Sequence, residues 1–260
     1  MPFIWVILAF IILLLLQRWI HTHLHGLSLL LTGKPERAVY LYALVLFPGV
    51  LLHELSHWLM ATLLGIRTGK FSLLPQRQKD GSITLGYVEY YKDSNLGPIR
   101  ESLVGGAPLL AGTAVILLIS YTVLDVTRLA EAIQTGHIDN LYLALDELLA
   151  TPYFLLWLYL LFAIGNAMMP SPSDRRAWPA FLGITAVLII ALYLLGFTEA
   201  LLDGLAGPVT IAFSYLGIAF GITIVVDLIF MAVIALLEKV IGRIRGVAVV
   251  YNGAAPRRKT

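Results

Sequence analysis

Two histidines four residues apart, His53 and His57, enclose a glutamate, Glu54, inside an apolar run from Leu41 to Leu64 that is otherwise almost free of charge. On a helix, positions i and i+4 share a face, roughly 6 Å apart along the axis. Two imidazoles placed so can hold one divalent ion between them. A carboxylate one residue past the first imidazole can then act as general base on a water, as in H-E-x-x-H zinc hydrolases. With 6 His and 16 acidic residues in 260, the pattern arises by chance on the order of one time in a hundred. The apolar setting sharpens the inference, since two imidazoles and a carboxylate in hydrocarbon are costly without a function. The chain has no cysteine, so disulfides and thiolate ligands are excluded, and zinc must take imidazole and carboxylate. The expectation is one Zn2+ per chain, bound by His53, His57 and a third carboxylate, with Glu54 as the base.

Composition says where these residues must be held. The chain is 59% hydrophobic and 13% charged, with a mean hydropathy of +0.85, which points to a membrane protein. Six segments approach the ~20 residues a bilayer requires: 2–16, 39–64, 103–124, 152–169, 177–197 and 208–237. The first is expected to be a retained anchor rather than a signal peptide. No basic residue precedes it and no small-x-small cleavage site follows it.

Six spans would put both termini on one side. The basic residues of the tail (Lys239, Arg243, Arg245, Arg257, Arg258, Lys259) would then join those of the 66–102 loop and the pair Arg175–Arg176. Only Arg18, Lys34, Arg37 and Arg128 would face the other side, so the positive-inside rule makes the first side cytoplasmic. The sequence therefore predicts an all-α polytopic membrane protein in the plasma (inner) membrane, with both termini cytoplasmic and the His pair in the cytoplasmic half of the second span. One domain fills residues 1–245, with its core at about 39–180, and 246–260 form a short basic tail.

The fourth span descends to the same side and ends in Asn166-Ala-Met-Met-Pro170-Ser-Pro172-Ser-Asp174. Two prolines in three residues stop a helix and force the preceding residues toward extended geometry. Broken backbone at membrane depth is tolerated where it is buried in protein or lines a wet cavity. Asp174 thus arrives on non-helical chain at about the depth of the His pair and is the expected third ligand. The plainer alternative is a cytoplasmic turn with a solvated Asp–Arg pair. Asp227, inside the sixth span, is the rival third ligand, or else a hydrogen-bonded packing residue.

Taken together, these residues resemble the site-2 intramembrane metalloproteases in their six-span form. Members carry H-E-x-x-H on the second span and an Asn/Pro/Asp motif on the fourth, whose Asp is the third zinc ligand. His53, Glu54 and His57 match the first motif, and Asn166 and Asp174 match the second in their spacing of eight. Gly105-Gly-Ala-Pro108-Leu-Leu-Ala-Gly112 looks like the small-residue stretch that members carry on the third span, without its Asn. The chain departs from the pattern where Met169 replaces the usual Pro and Arg175 the usual Gly. The resemblance covers about residues 47–180. It implies a zinc endopeptidase cutting membrane-spanning protein substrates, with Asn166 near the substrate and no PDZ-like or CBS-like domain. Alternatives are an inactive zinc-binding relative serving as a scaffold, or a transporter, against which stands the lack of an inverted repeat.

Strand-like sequence lies between the second and third spans, where 71–76 and 83–90 flank Lys79-Asp80-Gly81, a strong hairpin turn signal. Such a hairpin could pair its edge with an unwound substrate, as the family resemblance implies, or merely cap the bundle. His21, His23 and His25 alternate beyond the first span, do not all three share one helix face, and are expected to be interfacial rather than a second metal site. The acidic 125–149 segment reads most simply as a solvated loop, with a surface-lying helix over 138–149 as the alternative. No nucleic-acid or nucleotide motif is present, and the oligomeric state is not legible.

Overall fold

The computed structural model describes residues 2–73, 75–77, 83–90, 97–196, 198–247 and 249–251. The expected turn Lys79-Asp80-Gly81, together with Lys92 and the tail from 252 on, lies outside them. Among the described residues the chain forms α1 (Pro2–Thr32), α2 (Pro35–Leu63), β1 (Thr68–Ser72), β2 (Gln76–Arg77), β3 (Ile83–Thr84) and β4 (Tyr87–Tyr90). There follow α3 (Pro98–Thr122), α4 (Val126–Thr135), α5 (Ile138–Leu149), α6 (Phe154–Ala167), α7 (Trp178–Leu194) and α8 (Thr198–Arg245). Helices α1, α2, α3 and the 206–245 part of α8 are long and apolar enough to cross a membrane. The pair α5–α6 makes a fifth if counted as one bent span. Backbone groups closed within helices are what hydrocarbon demands, and large exposed apolar side chains such as Leu15, Leu44, Leu63 and Leu155 are what it tolerates.

Two expectations change. The first helix does not end near residue 16. It runs on to Thr32, where Gly33 at φ 67° and Pro35 supply the stop. Nor do the helices alternate six times. Trp5 Nε1 donates to the Gly217 carbonyl, His23 meets Glu238, and Arg245 donates to the Leu31 carbonyl, so α1 and α8 run parallel. Six alternating spans would have made them antiparallel. The Pro2 end of α1 and the Arg245 end of α8 therefore lie at opposite ends of the bundle.

The reason lies in α7. It has 17 residues and buries none, and α6 and α8 on either side of it already run antiparallel, with Phe162 stacked on Phe230 and Asn166 bonded to Asp227. A full crossing between them would have made them parallel. Lys239, Arg243 and Arg245 consequently sit at the end away from Arg67, Lys70 and Arg175, and the one-sided charge distribution expected from the sequence is not realised.

The hairpin forms as two antiparallel ladders. β1 pairs with β4 (Thr68↔Tyr90, Phe71↔Val88, Ser72↔Tyr87, with an irregularity between Thr68 and Phe71), and β2 pairs with β3 (Gln76↔Thr84, Arg77↔Ile83). The buried core joins α1, α2, α3, α6 and α8 through residues such as Leu13, Ile20, Leu46, Ile116, Phe162 and Phe220.

Candidate metal centre

His53 and His57 stand one turn apart on α2, and two other elements fix their rings. His53 Nδ1 lies 2.6 Å from the Ala167 carbonyl at the end of α6, and His57 Nδ1 lies 2.8 Å from the Val104 carbonyl on α3. A carbonyl oxygen only accepts, so each Nδ1 carries its proton and donates. In the neutral ring, each Nε2 is then left with a lone pair. Those two Nε2 atoms face one another at 3.1 Å. The Asp174 carboxylate joins them, with Oδ1 at 3.2 Å from His57 Nε2 and Oδ2 at 3.6 Å from His53 Nε2.

Two imidazole lone pairs and a carboxylate converging out of water repel one another unless a cation lies between them. Bonds of ~2.0–2.1 Å to a tetrahedral zinc ion put ligand atoms roughly 3.3 Å apart. The observed separations, 3.1 Å between the imidazoles and 3.2 and 3.6 Å to the two carboxylate oxygens, lie near that value, so the three residues fit a metal ion.

Asp174 arrives as the proline-broken sequence predicts. Met168 to Ala177 leave the helix, and the Ser171 N–H donates to Asp174 Oδ2 at 2.7 Å, orienting the carboxylate. On α3, Gly105 admits the segment. A Cβ there would stand 2.0 Å from the Asp174 carbonyl oxygen. Neither Met169 nor Arg175 keeps Asp174 from the His pair, and Arg175 points to the exposed side.

Glu54 is buried beside the pair, and the chain at Gly86 lies against it, close enough that a Cβ on Gly86 would meet Glu54 Cγ at 2.9 Å. A cavity of about 440 Å³ opens here, lined by His53, Glu54, His57 and Asp174 on one side and by Leu85–Val88 on the other. The ladder thus forms a wall of the cavity.

Asp227 lies elsewhere. Its Oδ1 accepts from Asn166 Nδ2 at 2.7 Å, and it stands outside the His53–His57–Asp174 group. Asn166 lines the cavity, but its second Nδ2 hydrogen goes to the Phe162 carbonyl, so both its donors are committed within the protein. Asn166 Oδ1 and Asp227 Oδ2 are buried without a hydrogen-bond partner. Sequence reasoning missed His21, which lines the same cavity and bonds through Nδ1 to the Tyr42 hydroxyl at 2.6 Å. The signal was the Gly33–Pro35 stop, which carries α1 past His21 as helix. His23 bonds to Glu238 at 2.8 Å, and His25 meets the edge of the Tyr42 ring. Compared with known protein families, curated proteins and solved structures, the chain matches none.

Proposed function

We propose that this protein is an intramembrane zinc endopeptidase that cuts membrane-spanning segments of other proteins. The observation that carries the proposal is the convergence of His53 Nε2, His57 Nε2 and the Asp174 carboxylate beside a buried Glu54 in one cavity. In this reading His53, His57 and Asp174 hold the ion. Bound zinc supplies Lewis-acid chemistry, lowering the pKa of water toward ~7 and polarising a carbonyl.

The chain does the rest. The Ala167 and Val104 carbonyls hold the imidazole tautomers. Glu54 takes the proton from the attacking water and delivers it to the amine that leaves when the C–N bond breaks. The Leu85–Val88 wall offers backbone to an extended peptide, which a transmembrane helix must become before its carbonyls can be reached. The partners are a transmembrane substrate and the bilayer. Parallel α1 and α8 favour an odd number of crossings, formed by α1, α2, α3, α6 and α8.

The deciding experiment is cleavage of a single-span substrate by purified protein in lipid, with and without a zinc chelator. Cleavage that stops with chelator and returns with zinc is expected. Cleavage indifferent to chelator overturns the proposal, and a protein that binds zinc but never cuts is the inactive relative.

A further inference from the structure

The connection between α3 and α6 is not a loop but two amphipathic helices, α4 and α5, tied together where Arg128 of α4 bonds to Glu147 of α5 at 2.6 Å. On α5, Ile138, Tyr142, Leu145 and Leu149 recur at steps of four, three and four, which puts them on one stripe. All four are exposed, at 82%, 70%, 40% and 63%. Around the same helix, Ala144 and Leu148 turn to the bundle, while Asp139, Asn140, Asp146 and Glu147 occupy the remaining arc, with Leu143 the one exposed apolar residue among them.

Pro152 ends this helix, Tyr153 takes a left-handed conformation at φ 59°, and α6 leaves at 87° to α5. The exposed stripe continues into the exposed apolar face of α6 at Leu155 and Leu156.

We infer that α5 is an interfacial helix lying in the plane of the membrane, its Ile138–Tyr142–Leu145–Leu149 stripe set into the lipid boundary and its acidic arc in water. Nothing in this inference depends on zinc or on catalysis. The occupant of the stripe is lipid because exposed apolar residues run on from α5 into α6, which together are apolar and long enough to form one bent membrane span, and the acids sit on a different arc of α5. Partition of such a helix buries its apolar face about 5–10 Å into the boundary.

The direction of α6 then follows from its packing. It runs antiparallel to the membrane-capable α8 and at 87° to α5, so with α5 in the plane it follows the bundle axis, and its 14 residues carry the chain about 21 Å from that plane to Ala167, the acceptor of His53. In a hydrocarbon layer of ~30 Å, the His53–His57–Asp174 group lies at membrane depth, in the half remote from α5.

The absence of native cysteine allows a direct test with single nitroxide labels placed by Ile138→Cys, Tyr142→Cys, Leu145→Cys, Leu149→Cys, Asp139→Cys, Asn140→Cys, Asp146→Cys and Glu147→Cys in phosphatidylcholine vesicles. All eight sites are exposed, so labelling spares the core. The four stripe positions should collide preferentially with oxygen and share one depth, and the other four should collide preferentially with a water-soluble nickel chelate. A uniform preference for the chelate would mean a solvated segment. A depth gradient from 138 to 149 would mean a helix that enters the bilayer, and shielding of the stripe from both reagents a protein contact. Each of these three results overturns the inference.

Discussion

His53 and His57 on α2 commit Nδ1 to backbone carbonyls from two other helices and turn Nε2 toward each other. On α1, His21 and His25 both turn to Tyr42, one to its hydroxyl and the other to its ring edge, and His23 turns to Glu238. Both groups lie in one bundle, and His21 borders the same cavity as the α2 pair. Residue type therefore does not separate them. Spacing alone does not either, because His21 and His25 are also four residues apart and both face Tyr42. Convergence does: each α2 ring donates Nδ1 to a backbone carbonyl and presents its Nε2 lone pair to the other ring and to Asp174. The α2 pair, with Asp174, is placed where it could hold a metal ion, and the α1 histidines join helices.

The largest expected effect tests what stands beside the pair. Glu54→Gln should retain zinc and lose cleavage by roughly 10²–10⁴-fold, because glutamine keeps the shape and cannot accept the proton. Undiminished turnover with intact zinc would remove Glu54 as the base. Asp174→Ala should follow, weakening zinc by more than the roughly 10–100-fold that an outer partner is worth. Equilibrium competition with a zinc-binding dye measures it, and unchanged affinity would leave the pair without its third ligand.

Gly105→Ala probes the same contact from behind. Its Cβ must displace the Asp174 backbone, so zinc affinity should fall by about 10–100-fold while the helical circular dichroism stays unchanged. Asp227→Ala should leave zinc untouched and lower thermal stability by about 1–3 kcal/mol, the cost of stranding a buried Asn166 donor. Smallest is the effect on the α1 group. His25→Ala should change neither zinc content nor cleavage, and a loss of zinc there would dissolve the distinction between the two groups.

The His pair was legible because both ligands sit on one helix, where spacing alone determines the face. Asp174 was nearly as legible, since Pro170 and Pro172 rule out helix and leave a polar side chain on broken backbone at the right end of α6. What the sequence hid depends on contacts between distant segments. The carbonyls of Val104 and Ala167 carry no signature as acceptors, and Asp227 looks like a ligand until Asn166 is placed against it. Arg18 disguised the continuation of α1 to Thr32, although Gly33 and Pro35 marked its stop. Hydropathy found α7 without showing that the helices on either side of it run antiparallel, and so did not show that α1 and α8 run parallel. The acidic composition of 125–149 favoured a solvated loop over the surface-lying helix of 138–149, although the period of its four apolar residues was present in the sequence.

The central claim is that His53, His57 and Asp174 together hold one metal ion, and X-ray absorption at the zinc edge on purified protein, alongside metal analysis, tests it most directly. The account predicts one zinc per chain with two imidazole nitrogens and carboxylate oxygen at ~2.0–2.2 Å, all lost in the His53→Ala, His57→Ala double variant. Protein without zinc, zinc that survives the double substitution, or a shell containing a third imidazole would contradict it.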